Sequence, residues 1–497
     1  MSVFLAILNF IGQQILNVPA YLIGIITAIG LIALKRKGGQ VIGGALKAAM
    51  GYLILGAGAG VVTASLAPLG NLIFGVTGAH GVVPTNEVIT AQASSHYGAQ
   101  AAYILILGFI VMLVLARFTP LRYIFLTGHH MVFMSLLLTV VLSWGMPHAS
   151  WLVVVLGALL LGVIMVVMPA FAHPFMKKVT GDDSVAIGHF NTLGYIVSGA
   201  TGAAVGKTSR STENINFPQG LKFLRDSMVA TALSMVLIYM VFAIWGLIKL
   251  PLHDALVIFG TQADGTTPLM ANQGAYIMAA FAQALQFGVG VAIILYGVRT
   301  ILGEIVPAFE GIAHKVVPGA KPALDIPIVF PYASNGVLIG FISSFVGGLV
   351  MLVLMILWLG PVFGLALILP GMVPHFFDGG GAGVFGNATG GRRGAAIGGF
   401  INGLIITILP AFLFIVFTQM GFQNSSFGDA DFGWFGSLLG SGFMGGPVVG
   451  TIVAVVLGAV LVVGASIWQR KVVDTGWVPG AKRDKWLDEH PQEEVAA

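Results

Sequence analysis

The chain of 497 residues contains no cysteine. This absence excludes disulfides, thiolate metal sites, a cysteine nucleophile and a phosphocysteine within the chain. Charged residues are also scarce: they make up 8 % of the chain, whereas 57 % is hydrophobic, and a soluble domain carries about a quarter charged residues. The composition therefore indicates an integral membrane protein surrounded by lipid. We expect no nucleic-acid partner, because the basic residues lie in short loops between apolar runs, as cytoplasmic anchors do.

Runs of about 20 mostly apolar residues predict transmembrane helices. The stretch at 4–16 is shorter and ends in a glutamine pair, which favours an interfacial helix. It lacks a basic segment and a small-residue cleavage site, so we expect it to stay in the mature protein. The eleven predicted spans are 19–34, 42–64, 101–117, 122–144, 150–171, 227–249, 273–303, 336–358, 360–375, 396–418 and 446–468.

Lysine and arginine in short loops predict the orientation, because such loops are retained on the cytoplasmic side. Basic residues 35–37 follow the first span, so we expect the N-terminus outside. Basic residues also follow the last span, from Arg470 onward, so we expect a cytoplasmic C-terminus. Opposite ends require an odd number of spans. The segment 471–497 is expected to be a cytoplasmic polar tail, and its end "DKWLDEHPQEEVAA" (484–497) is expected to be solvated and disordered.

Four apolar stretches contain interruptions. The longest is "LPGMVPHFFDGGGAGVFGN" at 369–387, and "HYGAQ" (96–100), "MPAFAHPF" (168–175) and "FPYASNG" (330–336) are shorter. Irregular backbone at membrane depth is tolerated only where it is buried in protein or lines a wet cavity. Interrupted helices near a transporter's substrate site are therefore predicted. For "GAGAG" at 56–60, close helix packing is favoured over a phosphate loop, since no strand precedes it.

The sequence also indicates an internal repeat. "GVVPTNE" (81–87) and "GAKPALD" (319–325) each place an acid three residues after a proline, and each is followed by a glycine-containing break, "LTGHH" or "LPGMVPHFF". The hypothesis is two inverted five-span halves, roughly 1–175 and 250–470, with 227–249 as a connector span.

Ionisable side chains within apolar spans are costly and usually functional. Arg299 precedes Glu304 and Glu310 near the end of a long helix, which favours a structural ion pair there. Each lone histidine could equally be a satisfied structural side chain, but two Gly-His steps and two Pro-x-x-acid steps together favour a site. The candidates are Glu87, His129, His130, His189, Glu304, Glu310, Asp325 and His375.

Carboxylates and neutral imidazoles, with Asn86 and Asn191 nearby, can hydrogen-bond several hydroxyls, while Met131 and Phe133 supply apolar walls. This chemistry predicts a polyol or sugar-acid site. A metal site is less favoured, because adjacent histidines on a helix point about 100° apart and no i, i+4 pair is present. We expect no cofactor.

The stretches "LTGHHMVF", "VAIGHFN", "LDIPIVFPYASNGVLIGF" and "LPGMVPHFFDGGGAGVFGN" resemble the signature segments of the L-ascorbate-specific IIC component of the bacterial phosphotransferase system. The resemblance runs from about residue 4 to about residue 470. It implies a single membrane domain over 1–470, in an all-α polytopic fold of eleven spans with interrupted helices. It also implies two inverted five-span repeats and a homodimer in which a transport core moves, elevator-like, against a scaffold.

The resemblance also implies the substrate contacts, which cluster after the breaks. Enteric members carry glutamine where this chain has Phe133 and Phe190, and a non-acidic residue where it has Glu87, so the substrate itself stays open between ascorbate and a related sugar acid or polyol. The implied contacts are Asn86, Glu87, His129, His130, Met131, Val132, Phe133, His189, Phe190 and Asp325.

The implied activity is vectorial group translocation at the bacterial inner membrane. A cytoplasmic IIB subunit, charged by IIA, would transfer phosphate from its phosphocysteine to ascorbate, giving the 6-phosphate. This chain would supply no catalytic residue of its own. The competing class is a secondary transporter in which Glu87 and Asp325 carry a coupling proton, and the residues alone are equally compatible with it. A channel is less favoured, since nothing predicts a continuous charged or carbonyl-lined pore.

Overall fold

The structure is a computed structural model that describes residues 18–78, 81–147, 150–215, 227–422 and 424–490. The interfacial helix predicted at 4–16 lies outside these residues. The described chain is mostly α-helical and contains a few strands of two to four residues.

The α-helices are Pro19–Ala33 (α1), Gly38–Thr77 (α2), Asn86–Phe118 (α3), Gly128–Gly145 (α4), Ser150–Thr180 (α5), Thr192–Val205 (α6), Ser227–Lys249 (α7), Leu252–Leu256 (α8), Gln273–Val316 (α9), Ser334–Leu354 (α10), Gly360–Phe363 (α11), Met372–Pro374 (α12), Gly380–Thr418 (α13), Ala430–Met444 (α14), Pro447–Trp468 (α15) and Ala481–Glu489 (α16). The strands are Gly81–Pro84 (β1), Tyr123–Phe125 (β2), Ala186–Ile187 (β3), Lys321–Leu324 (β4), Leu367–Ile368 (β5) and Ser425–Ser426 (β6). Short 3₁₀ helices occupy Thr212–Asn214, Val257–Phe259 and Ile326–Tyr332, and π-helical turns occupy Met355–Leu359, His375–Gly379 and Gln469–Val473.

Eight helical segments of the described chain are long and apolar enough to cross a membrane. Three shorter apolar helices accompany them, at Ile23–Ala33, Thr192–Val205 and Met235–Lys249. The protein is therefore a polytopic, mostly helical membrane protein, and the odd total number of spans stays a prediction. The eight long segments are Gly38–Thr77, Asn86–Phe118, Gly128–Gly145, Trp151–Thr180, Gln273–Glu304, Ser334–Phe363, His375–Thr418 and Pro447–Val473.

The prediction of a span at 360–375 is wrong. Helix α11 ends at Phe363, because Gly364 adopts a left-handed conformation (φ 68°) that stops the helix. The chain then forms β5 and an extended turn before the π-helical turn that begins at His375. Hydropathy identified the segment as apolar, but its glycines and prolines decide its backbone.

Two of the four predicted interruptions are absent. Residues 96–100 lie inside the continuous helix α3, and residues 168–175 lie inside α5, which contains Pro169 and Pro174 without ending. Proline is tolerated in membrane helices where neighbouring groups satisfy the freed backbone. The breaks at 330–336 and 369–379 are confirmed, because a 3₁₀ helix and a π-helical turn occupy them.

The six strands form two parallel three-stranded sheets. In one sheet β1 lies between β5 and β6, with Gly81 beside Leu367 and Val83 beside Ser425. In the other, β4 lies between β2 and β3, with Tyr123 beside Lys321. Each central strand therefore pairs with two strands from the other half of the chain. Because the strands of each sheet are parallel, their carboxyl ends lie at one edge.

Helices α2 and α9 pack closely through glycines. A Cβ atom on Gly51 would lie 2.8 Å from the Gly297 carbonyl oxygen, and one on Gly58 would lie 2.9 Å from that of Gly290. The higher residue number on α2 meets the lower on α9, so the two helices are antiparallel. The packing role predicted for "GAGAG" at 56–60 is confirmed at Gly58.

Helix α13 contains a sharp reversal at Gly391 (φ 57°). Gly386 lies against the backbone of Gly394, so the two arms form a hairpin. The first arm belongs to the glycine-rich stretch predicted to be irregular, and it is regular helix because its glycines admit the neighbouring backbones of α6 and α10. Gly202 lies against Gly390 in this way.

The C-terminal tail contains an ordered helix, so the prediction of a disordered end from residue 484 is wrong as far as Glu489. Arg483 in α16 is only 7 % exposed, and its guanidinium donates to the carbonyl oxygens of Ser209 (2.8 Å) and Ala388 (3.2 Å). Lys178 Nζ lies 2.5 Å from an oxygen of Asp484. The tail is thereby fixed against the α13 hairpin and the end of α5.

Candidate functional site

A cavity of about 300 Å³ lies at the carboxyl ends of both sheets. Every strand contributes polar lining residues from the segment that follows it. These are Asn86 and Glu87 after β1, His129 and His130 after β2, His189 after β3, Asp325 after β4, Asp378 after β5 and Asp429 after β6.

Two helices begin at residues that line or adjoin this cavity, α3 at Asn86 and α4 at Gly128. The N-terminus of a helix carries a partial positive charge. These two termini therefore favour a ligand that carries negative charge. The first N–H groups of α6 and α14 are paired within the protein instead.

Seven of the ten residues predicted as substrate contacts line the cavity. Met131, Val132 and Phe190 are not among its lining residues. Met131 lies on another face of α4 from His129, His130 and Phe133, and it is buried in the apolar core. Phe190 stacks on Phe125 with ring centroids 4.8 Å apart. The seven are Asn86, Glu87, His129, His130, Phe133, His189 and Asp325.

Asp325 lies between two of the histidines. Its Oδ2 is 3.5 Å from Nε2 of His129, and its Oδ1 is 3.8 Å from Nε2 of His189. The Ile326 N–H donates to Oδ1 at 2.8 Å and fixes the carboxylate. The side chain of Asp325 remains 35 % exposed, so it can also reach a bound molecule.

His189 is held in one orientation by hydrogen bonds to its Nδ1. The Asn191 N–H points to this atom at 3.3 Å, and the hydroxyl of Tyr195 lies 3.1 Å from it. A ring nitrogen that accepts from a backbone N–H carries no proton, so the proton lies on Nε2, which faces Asp325. His189 is thus oriented to donate into the cavity.

Two buried carboxyl groups were not predicted from the sequence, those of Asp378 and Asp429. Asn86 Nδ2 donates to Asp429 Oδ1 at 2.6 Å, and His130 Nδ1 lies 3.6 Å from Asp429 Oδ2. Oδ2 of each aspartate accepts no hydrogen bond within the described part of the chain. The available signal was the Gly-Asp step at 428–429, which follows β6 as the Gly-His step at 188–189 follows β3.

Asp431, also buried, serves the structure rather than the cavity. It accepts from the backbone N–H groups of Thr192 (2.7 Å) and Leu193 (3.2 Å) and from Trp434 Nε1 (2.9 Å). These bonds join α14 to the first turn of α6, which follows the segment that carries His189.

Two groups of side chains could also contact a metal ion. In each of the sets His129, His130, Asp325 and His130, His189, Asp429, one potential ligand atom per residue lies within 4.8 Å of the others. Folding brings together histidines and aspartates that lie far apart in the sequence. However, Nδ1 of His130 faces the Phe190 N–H (3.3 Å) and Nδ1 of His189 faces the Asn191 N–H. These contacts suit imidazoles that hydrogen-bond a polar organic molecule through Nε2.

The ion pair predicted around Arg299 is not formed with Glu304. Glu304 Oε1 pairs instead with Lys47 Nζ of α2, at 3.0 Å. Arg299 lines the cavity. The side chain of Glu310 lies outside the described residues.

A buried polar cavity surrounded by apolar helices defines a membrane permease for a small polar molecule. The chain belongs to the EIIC-GAT family, the sugar-specific permease component of the PTS system, whose family model matches residues 14–431. It is similar to the "Ascorbate-specific PTS system EIIC component" of Mycoplasma pneumoniae, with 29 % identity over 440 residues. The alignment covers 81 % of this chain and 65 % of that protein, so the chain spans about two thirds of that relative's length.

Proposed function

We propose that this permease binds L-ascorbate and carries it across the bacterial inner membrane for phosphorylation to L-ascorbate 6-phosphate by a separate IIB subunit. The observation that carries the proposal is the cavity itself. Three imidazoles and the N-termini of α3 and α4 meet there, which suits an anion, and several carboxyl groups can accept from hydroxyls. Ascorbate combines one negative charge with a hydroxyl-bearing side chain. The name of the Mycoplasma pneumoniae relative supports the same substrate.

The proposed roles of the lining residues rest on their geometry. His129 and His189 donate to the enolate side of ascorbate. Glu87, whose Oε2 accepts no hydrogen bond among the described residues, accepts from a side-chain hydroxyl. Asp325 orients both imidazoles and accepts from a second hydroxyl. Phe133 supplies an apolar wall.

Phosphate transfer requires partner subunits. The chain has no cysteine, so a phosphocysteine must come from a cytoplasmic IIB protein, which IIA recharges. The permease contributes position, and orienting a hydroxyl for attack can supply several kcal/mol of the barrier.

The proposed architecture is a pair of inverted repeats joined by α7, in a homodimer whose core moves against a scaffold. In each sheet the central strand from one half of the chain pairs with two strands from the other half. This pairing and the antiparallel packing of α2 on α9 support the repeats. The first repeat would extend beyond 175 to include β3 and α6. The proposed orientation has the N-terminus outside and the C-terminus in the cytoplasm.

Proton-coupled transport without phosphorylation is the second candidate. Buried carboxyl oxygens that accept no hydrogen bond within the described residues, on Glu87, Asp378 and Asp429, favour it. Transport assays separate the two functions: uptake into vesicles that lack IIB, driven by a proton gradient, would support the secondary transporter, whereas accumulation that requires phosphorylated IIB supports the proposal.

Binding is tested by calorimetry on the purified protein, with L-ascorbate as ligand and a pentitol and a hexose as controls. We expect ascorbate alone to bind, and Asp325→Asn to abolish binding. Asp264→Asn is the matched control, since Asp264 lies on an exposed loop. Binding of a control sugar in place of ascorbate would show that Glu87, Phe133 and Phe190 have given the chain another substrate.

A further inference from the structure

We propose that Arg299 of α9 is a substrate-recognition residue that binds the negatively charged group of the transported molecule. The inference deepens the proposed function and rests on it. The segments after the strands supply one part of the cavity lining, and Arg299 belongs to α9, which supplies another part.

One face of α9 supplies this second part of the lining. Leu295, Val298, Arg299 and Leu302 all line the cavity. Their spacing of three, four and seven residues from Leu295 places them on a single helical face. Three of the four are aliphatic, so the guanidinium is the one polar group that this face presents. A molecule bound in the cavity can therefore contact a cation as well as the histidines of the same lining.

The charge of Arg299 has no carboxylate counter-ion within the part of the chain that the structure describes. It lies within the membrane-crossing segment Gln273–Glu304, yet no carboxylate of the described chain lies within ion-pair distance of its guanidinium. The nearest acid along α9, Glu304, is taken by Lys47. A charged side chain at membrane depth is costly, and those present generally mark a substrate or ion pathway. A bound anion would supply the missing counter-charge.

The chemistry of arginine fits the expected ligand. A guanidinium is planar and offers parallel N–H donors that match two adjacent oxygens of an anion. The deprotonated enediol of ascorbate carries such a pair of oxygens, and so does the carboxylate of an open-chain sugar acid. The residue would thus select sugar acids over neutral sugars of the same size.

The placement of Arg299 also gives it a part in conformational coupling. Helix α9 is packed against α2 through glycines, whereas His129, His189 and Asp325 follow the strands. A substrate bound to both parts of the lining would hold them together. Charge recognition by Arg299 is therefore expected in the conformation seen here.

Access to Arg299 can be tested independently of the substrate, because the chain has no natural cysteine. In Arg299→Cys, a membrane-impermeant maleimide is expected to label residue 299 in the purified protein. Tyr296→Cys is the control and is expected not to be labelled. Tyr296 is 64 % exposed, but it lines an apolar groove separate from the cavity. Absence of labelling at 299 under conditions that label an exposed loop cysteine, Thr266→Cys, would overturn the proposal.

Charge recognition is tested by calorimetry with L-ascorbate and its neutral 3-O-methyl ether. The wild-type chain is expected to prefer ascorbate. Arg299→Gln is expected to weaken ascorbate binding about tenfold or more, with little effect on the ether, and Arg299→Lys should retain part of the preference. Arg117→Gln, at the end of α3 and outside the cavity lining, is the matched control. An unchanged preference in Arg299→Gln would refute the role of Arg299 and leave the proposed function intact.

The two proposals fail in different ways. If the wild-type chain binds no ascorbate, the proposed function is rejected, and charge recognition is measured with D-gluconate against D-glucitol. A preference for gluconate that Arg299→Gln removes would support Arg299 on another substrate. If the wild-type chain prefers neither gluconate nor ascorbate to its neutral counterpart, the role of Arg299 is rejected as well.

Discussion

Tyr195 positions His189 through its hydroxyl group, which lies 3.1 Å from His189 Nδ1 and 3.4 Å from Asp378 Oδ1. The ring itself is stacked on Phe385 and does not depend on the hydroxyl. We expect Tyr195→Phe to lower the affinity for ascorbate by about 1 kcal/mol, roughly fivefold, because one hydrogen bond that orients the imidazole is lost. Calorimetry measures the effect, and His189→Ala should be more severe.

Tyr239→Phe is the control for this substitution. Tyr239 is also fully buried, and its hydroxyl donates to the Ser65 carbonyl, away from the cavity. It should lower thermal stability without changing ascorbate affinity. Equal affinities in the wild-type chain and Tyr195→Phe would contradict the positioning role of Tyr195.

At the residue scale, the sequence predicted much of the cavity because ionisable groups are rare in this chain. His129, His189 and Asp325 stood out in apolar surroundings, and the structure brings them together. Asp378 and Asp429 escaped because each follows a glycine-rich or loop-like segment whose depth the sequence does not reveal. Partners more than a hundred residues apart become visible only once the strands pair.

Helices α2 and α9 depend on glycine at their contact. Gly58→Leu is expected to lower the free energy of unfolding by about 1–3 kcal/mol or more, since the side chain would force the helices apart. Gly56→Leu, two residues away, should be tolerated, because nothing lies within 4 Å of a Cβ at that position. Thermal unfolding in detergent compares the two variants, and equal melting temperatures would contradict the close-packing interpretation.

At the scale of elements, hydropathy located most of the long helices but not their ends. Helix α3 begins at Asn86, well before the predicted start at 101, because its first turns are polar where they border the cavity. The segment 360–375 was apolar enough to suggest a span, yet Gly364 ends the helix. Hydropathy did not predict the short helices α6 and α14, because they are short and rich in small residues. Averaging hydropathy over a window of residues does not detect the backbone conformations that glycine sets.

The C-terminal helix gives a prediction about the whole molecule. Arg483→Gln is expected to lower the free energy of unfolding by about 1.5–3 kcal/mol, since hydrogen bonds from a charged group to two buried carbonyl oxygens are lost. The exposed neighbour Lys482 provides the control, Lys482→Gln. Thermal unfolding measures both. Equal melting temperatures of the two variants would contradict the view that the tail stabilises the α13 hairpin.

The proposed orientation makes a second prediction at this scale. Lys485→Cys should be labelled by an impermeant maleimide only from the cytoplasmic side. Thr266→Cys, in the exposed loop before α9, should be labelled only from outside. The cysteine-free chain needs no background substitutions for this measurement in intact cells and inverted vesicles. Labelling of both positions from one side would contradict an odd number of spans between Thr266 and Lys485, and with it the proposed orientation.

The pairing of the strands has a consequence for how the protein is made. Strand β1 is synthesised early, but its neighbours β5 and β6 come from the second half of the chain. Strand β4 also comes from the second half, and it pairs with β2 and β3, which are synthesised before it. Until Ser426 leaves the ribosome, the N–H and C=O groups of β1 lack part of their native partners in a lipid environment. We therefore expect that neither half forms its native sheets alone. A chain cut between residues 206 and 226 should regain its binding cavity only when both fragments are co-expressed.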